Sequence, residues 1–216
     1  HIRIKKSNEK YEIIEPLNNF SESYGYMMIV DNKGKVIRFY RSGARREAEK
    51  YFERPEKLAG KEFAITTKLD GFRLVVFKNA NGSIECYSRV GQRIEGLIEI
   101  EADLATLPCN VALDGELTIS NYFDMPSKDA YKAASKIIRL KGDTPKTGLT
   151  YRVFDCMAAD EFKSQSCIKP YVERRAMLES FPKMSHIEVL PVLYVGDDTS
   201  KITEWLDKIT TEGGEG

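Results

Sequence analysis

The order of elements in this 216-residue sequence predicts an α+β fold with antiparallel sheets and flanking helices. Three observations predict it. Strand-like runs come in adjacent pairs, as in Phe72–Phe77 followed by Ile84–Ser88. Single helical stretches interrupt the pairs, instead of a helix following every strand. Short turn signals, Asp31-Asn32-Lys33-Gly34 and Asn79-Ala80-Asn81-Gly82, join neighbouring runs directly. Only antiparallel strands can be joined so tightly, because parallel partners need a crossover connection.

The first sixty residues read as a small β-rich segment. Tyr24–Val30 is apolar and β-prone, and Lys35–Tyr40 alternates as its partner strand would. Gly43 breaks the pattern, and Ala44–Phe52 reads as a short charged helix stopped near Pro55. Residues 58–61 form the expected junction, so the chain divides into 1–60 and 61–216.

Beyond the junction, Phe63–Thr67 is a strand followed by a turn at Asp70-Gly71, then the hairpin of Phe72–Phe77 and Ile84–Ser88. Ile98–Leu107 fits a helix closed by Pro108, and Val111–Ile119 a strand. Ser127–Leu140 fits a helix with Ser127 as N-cap and Gly142 just past its end. Leu149–Cys156 is a strand, and Pro170–Phe181 a helix with proline in its first turn. Ile187–Tyr194 reads as one strand and Ser200–Ile209 as the last helix. The closing Thr-Glu-Gly-Gly-Glu-Gly is expected to be a stop inside a loop.

Composition narrows the function. Hydrophobic residues make up 42% and charged residues 31%, the balance of a chain that folds around a core. No apolar run is long enough to span a bilayer, and the start, HIRIKKSNEK, lacks the apolar stretch of a secretory signal. Lys plus Arg is 33 and Asp plus Glu is 33, which argues against a dedicated non-specific nucleic-acid binder. Residues 1–60 carry 13 basic and 9 acidic side chains, and residues 61–216 carry 20 and 24, so any phosphate preference favours the first segment. Four cysteines without a CxxC pair, and two histidines, predict buried free thiols rather than a zinc site.

Four short motifs carry chemistry. In Lys68-Leu69-Asp70-Gly71-Phe72-Arg73 a lysine sits at a strand-to-turn junction, with a carboxylate and a guanidinium close behind. An amine there is a candidate nucleophile, glycine permits close approach, and arginine's planar fork suits phosphate. A hairpin turn with a surface lysine accounts for the same six residues equally well. In Ala112-Leu113-Asp114-Gly115-Glu116-Leu117-Thr118 two carboxylates share one strand face and could hold a cation or sugar hydroxyls, or merely edge the sheet in solvent. Tyr87-Ser88-Arg89-Val90-Gly91-Gln92-Arg93 flanks a glycine with arginines, and alone is a charged turn. Tyr151-Arg152-Val153-Phe154-Asp155-Cys156 is an apolar strand whose aromatics read first as core.

Taken in this order and spacing, KLDGFR, SRVGQRI, LDGEL, YRVFDC and the final Glu-Gly resemble the covalent nucleotidyltransferases, whose lysine motif is KxDGxR. The likeness runs from about Phe63 to Gly216 and is nearest to the adenylation domain of ATP-dependent DNA ligases of phage or large-virus type. It implies an ATP-grasp-like nucleotidyltransferase fold. Thr66-Thr67 stands where cellular ligases carry Glu-x. Ending at Glu215-Gly216, the sequence is expected to stop before the family's last lysine motif and its OB-fold domain.

The resemblance also implies roles. Lys68 would attack the α-phosphorus of ATP and become lysyl-AMP. Arg73 and Arg89 would contact the nucleotide or the 5′-phosphate of a nick. Asp114 would lie near the ribose, and Glu116 would bind the ribose or a metal and act as the catalytic carboxylate. Phe154 would stack on adenine, the region around Thr66 would read its edge, and Glu215 would face metal and phosphates. The cofactors implied are ATP and Mg²⁺ or another divalent cation.

Nicked duplex DNA is the implied partner, met by a monomer in the cytoplasm of a phage host or bacterium, or in a viral compartment, in repair, replication or recombination. Lys128, Lys132, Lys136 and Arg139 would form the phosphate-facing side of the helix from Ser127. At helical spacing the three lysines lie near one face, while Ala134, Ile137 and Ile138 face the protein. Asp155, following Phe154 on a strand, is expected to point away from the nucleotide and be structural. The alternatives are an RNA ligase or mRNA capping guanylyltransferase, and a nucleic-acid-binding module without catalysis.

Overall fold

A computed structural model describes residues 11–12, 26–31, 36–41, 52 and 55–214. Strands β1 (Tyr11–Glu12), β2 (Tyr26–Asp31) and β3 (Val36–Arg41) form an antiparallel sheet in that order. Of the helix expected over Ala44–Phe52 only Phe52 is described, and residues 32–34 of the first turn signal also lie outside the described residues.

Next come β4 (Phe63–Thr66), β5 (Phe72–Lys78), β6 (Ile84–Ser88), helix α1 (Ile98–Ala105) and β7 (Val111–Ile119). Helix α2 (Ser127–Ile138), β8 (Leu149–Ala158) and helices α3 (Ala159–Ser164) and α4 (Tyr171–Glu179) follow. Strands β9 (Ile187–Val189) and β10 (Val192–Gly196) and helix α5 (Ser200–Thr211) complete the order.

The main sheet runs β6-β5-β7-β8-β9, and β4 pairs with β10 in a separate antiparallel ribbon. All pairs in the main sheet are antiparallel except β8 with β9. That parallel pair is possible because α3 and α4 provide the long connection between the two strands. Among the described residues no helix is long and apolar enough to cross a membrane.

Period-two alternation in β5 divides the core. Leu74 and Val76 join Leu113, Leu117, Tyr151 and Val153 on one face, against Ile100 and Leu104 of α1, Ala134 of α2 and Leu178 of α4. Val75 and Phe77 join Ala112 and Met157 on the other, against Phe162 of α3. Burying each such large aliphatic side chain contributes about 1.5–3 kcal/mol. Lys78, 6% exposed, closes the end of α1 by donating to the Ala105 and Leu107 carbonyls at 2.7 and 2.5 Å. A cation there satisfies orphan carbonyls and suits the helix dipole.

Several boundaries differ from the sequence expectation. Pro126, not Ser127, occupies the α2 N-cap, and α2 ends at Ile138. Likewise Pro170 is the α4 N-cap, in extended backbone at ψ 159°, and α4 ends at Glu179. Helix α1 stops at Ala105, two residues short of Leu107. The single strand expected over Ile187–Tyr194 is two, because Leu190-Pro191 break it and send the halves to different sheets. Six-residue α3 had no expectation at all. All four cysteines are free, but Cys109 is exposed while Cys86, Cys156 and Cys167 are buried. Burial pushes the Cys86 and Cys156 thiols up to about 12, so they are inert packing groups.

The β7–β8 register shifts between Asp114 and Gly115: Asp114 pairs with Asp155 and Gly115 with Val153, leaving Phe154 as the extra residue of a bulge. Gly115 permits this. A Cβ there would lie 2.4 Å from the Arg152 carbonyl oxygen and 2.7 Å from the Tyr151 ring. Gly115→Ala is therefore expected to destabilise the chain by about 1–3 kcal/mol, the usual cost of overpacking a core. Urea unfolding checks this, and an unchanged midpoint would mean the strands separate freely.

Candidate active site

The strand register brings the predicted motifs to one end of the main sheet. Phe72, Arg73 and Leu74 of β5 stand opposite Leu117, Glu116 and Gly115 of β7, and Leu74 pairs with Ser88 of β6. Glu116 in turn stands opposite Arg152 of β8. The KLDGFR, SRVGQRI, LDGEL and YRVFDC segments, far apart in sequence, thus meet at that end of the sheet.

Lys68 lies between β4 and β5 and is half-buried. Three neighbours fix its turn. Leu69, 7% exposed, packs with Tyr122, Ala130, Phe154 and Leu190. Asp70 donates its backbone N–H to the Tyr122 hydroxyl at 3.0 Å. Gly71 abuts β7 so closely that a Cβ would lie 2.4 Å from the Leu117 carbonyl oxygen and 2.8 Å from Glu116 Cγ. The glycine of KxDGxR therefore serves the close approach of two chain segments.

Arg73 and Asp114 form a two-pronged ion pair, Nε to Oδ1 at 2.9 Å and the second fork nitrogen to Oδ2 at 3.1 Å. Asp114 is 2% exposed. The pair fixes the plane of the guanidinium, which a single-point contact would not. Glu116, half-buried, shares the Asp114 face of β7, set between the Arg73 and Arg152 positions. Arg152 is 3% exposed. It donates to Thr118 Oγ1 and the Ser120 carbonyl and pairs with Glu188 at 3.1 Å. Its guanidinium also lies 5.8 and 5.1 Å from the Tyr122 and Phe123 ring centres. Burial pulls its pKa down, and Glu188 opposes that.

Arg89 is exposed on the turn after β6, closed by the Gly91 N–H donating to the Ser88 carbonyl at 2.9 Å, with Gly91 at φ +71°. Thr66 ends β4 opposite Val192 of β10. Phe154 is only 4% exposed, within the cluster that holds Leu69. Asp155 is fully buried and pairs with Arg174 at 2.8 and 2.9 Å. Because of the bulge, the expected strict alternation does not operate between Phe154 and Asp155; it is Arg174 that occupies the Asp155 carboxylate.

Lys128, Lys132, Lys136 and Arg139 are all exposed, whereas Ala130, Ala134 and Ser135 are buried. Lys132 also pairs with Asp129 at 3.2 Å. Helix α2 is tied to the site edge by Tyr131, which stacks on Phe72 at 4.9 Å. Glu215 lies outside the described residues. Sequence reasoning missed two residues at this edge, Tyr122 and Arg152. Neither belongs to a local pattern that announces its partners, which are 52 and 34 residues away.

Among the described residues no group of three or more His, Cys, Asp or Glu side chains is gathered for a metal. Glu116 is a donor of the right kind for a divalent cation.

Comparison with known proteins places the fold and the family. No curated protein sequence matches the chain. A structure named "Pmar-Lig_Pre." is similar with a TM-score of 0.60 at 18% identity, over 77% of this chain and 39% of that one. An archaeal ATP-dependent RNA ligase is similar with a TM-score of 0.56 at 18% identity, over 89% and 48%. The ATP-dependent DNA ligase of bacteriophage T7, in complex with ATP, gives 0.51 at 16% identity, over 81% and 60%. At these identities the likeness shows a shared fold, and this chain spans less than two thirds of each. The model of the family described as "ATP dependent DNA ligase domain" matches residues 44–216, most of the sequence, and the chain belongs to that family.

Proposed function

We propose that this chain forms the adenylating part of an ATP-dependent DNA ligase that seals nicks in duplex DNA. The observation that carries the reading is the convergence of the Lys68 turn, Arg73, Arg89 and Glu116 at one end of the main sheet, with the lysine turn anchored from both sides.

On this reading Lys68 Nζ attacks the α-phosphorus of ATP. A nitrogen–phosphorus bond forms, the bond to pyrophosphate breaks, and the amine gives up a proton. The reaction is in-line, so alignment and charge neutralisation supply most of the rate. Arg73, its plane set by Asp114, faces the phosphate, and Arg89 contributes from its turn. Phe154 with Leu69 walls the adenine, and Thr66 lies at the base edge. Glu116, with Glu215, would hold a divalent cation, which neutralises phosphate charge when bound. AMP then passes from Lys68 to the 5′-phosphate of the nick, and attack by the 3′-hydroxyl joins the strand and releases AMP.

The test is mass measurement of the full chain after incubation with ATP and Mg²⁺. One AMP on Lys68 is expected, and ATP without an adduct overturns the reading. A GMP adduct from GTP would instead mark a guanylyltransferase. Nicked duplexes with DNA or RNA at the junction separate a DNA ligase from an RNA ligase.

The exposed stripe of Lys128, Lys132, Lys136 and Arg139 is proposed to hold the duplex by its phosphates. Each Lys→Ala should then weaken binding about equally for all sequences and lower the salt slope by about one. Self-adenylation of the triple variant should be unchanged, since no DNA takes part. An unchanged slope would make the stripe a solvated face only.

A further inference from the structure

We infer that Tyr122 is a positioning residue for the nucleophile: its hydroxyl pins the Lys68 turn through the Asp70 backbone, an inference that rests on the reading of Lys68 proposed above. Tyr122 belongs to a short 3₁₀ turn, Tyr122–Asp124, just ahead of α2. It is 52 residues from Asp70, yet its hydroxyl accepts the Asp70 N–H at 3.0 Å. Its ring is buried at 4% exposure against Leu69, Ala130, Phe154 and Leu190. The ring is held from two further sides, edge-on by Phe123 at 5.2 Å and by the Arg152 guanidinium at 5.8 Å. Arg152 is itself fixed by Thr118 and Glu188. The hydroxyl therefore projects from a rigid mount.

The opposite side of the turn is equally fixed, because Gly71 sits flush against β7. Lys68 is thus carried on a short segment clamped at Asp70 by Tyr122 and at Gly71 by the sheet. An in-line displacement depends on holding the attacking atom within a fraction of an ångström of its line. Releasing one clamp leaves the ATP-binding groups in place but lets the amine wander. The expected signature is a slower chemical step with unchanged ATP affinity. A purely structural tyrosine would lower stability instead and leave the rate of the folded fraction alone.

The experiment compares Tyr122→Phe, which keeps the ring and removes only the hydroxyl, with the unmodified full chain. Hydrogen exchange over residues 68–72 should be faster in the variant, with the unfolding midpoint nearly unchanged. Single-turnover adenylation should slow by about ten- to a hundredfold, at the same half-saturating ATP concentration. Unchanged exchange overturns the clamp whatever the activity. Faster exchange with an unchanged adenylation rate, or a loss that saturating ATP restores, overturns the positioning role. If the unmodified chain forms no adenylate, the proposed reaction fails and Tyr122 loses its catalytic role. Exchange at Asp70 then still decides whether the clamp exists.

Discussion

Lys68→Ala should abolish transfer of label from α-labelled ATP to the full chain, the largest activity effect expected of any single substitution here. On the proposed reading the amine is the atom that bonds to phosphorus, so no neighbour could restore the step by electrostatics alone. Lys68→Arg should fail too, because a guanidinium stays protonated and is a poor nucleophile. The fold should survive both changes. The contacts that shape the turn belong to the Leu69 side chain, the Asp70 backbone and Gly71, and all three are kept. Lys61→Ala, at an exposed position near β4, serves as the control and should label normally. Label persisting on Lys68→Ala would remove the assignment. Label lost together with the unfolding transition would show that the lysine supports the fold instead.

Much of this arrangement was legible because the signals were local. The Asn79–Gly82 turn fixes the β5–β6 hairpin, closed by Gly82 N–H to the Asn79 carbonyl at 2.9 Å, and so places Arg89 near Arg73. The stripe on α2 followed from helical spacing, and its lysines are exposed as that spacing requires. What was not legible depends on distant chain segments. The bulge at Phe154 arises because Gly115 admits the Arg152 carbonyl so closely, and no period in either strand signals it. Leu190-Pro191 end β9 locally, but the partner that takes Val192–Gly196, β4, lies far earlier in sequence. Nor did the sequence signal that two bonds from Arg73 engage the Asp114 carboxylate. A motif gives residue types and spacing; which oppositely charged neighbour reaches a carboxylate first is decided by strand register.

That distinction separates the two acids Glu116 and Asp155, whose removal should fail in different ways. Asp155 is fully buried, and its ion pair with Arg174, itself 2% exposed, uses both carboxylate oxygens. It also accepts the Cys156 N–H at 2.9 Å. Asp155→Asn leaves the Arg174 guanidinium buried without its counter-charge, a loss of about 3–5 kcal/mol. The variant should unfold at much lower urea, and Arg174→Met added to it should recover part of the loss by removing the stranded charge. Glu116 is half-buried beside Lys68's turn, where it faces the reacting groups on the proposed reading. Glu116→Ala should keep its unfolding midpoint and slow adenylation by about 10²–10³-fold, the scale on which one charge-stabilising group acts in an active site. The pair of measurements, urea midpoint and single-turnover adenylation, places each acid. Should folded Asp155→Asn lose adenylation as fully as Glu116→Ala, with its midpoint unchanged, Asp155 would be the catalytic carboxylate and the assignment of Glu116 would be withdrawn.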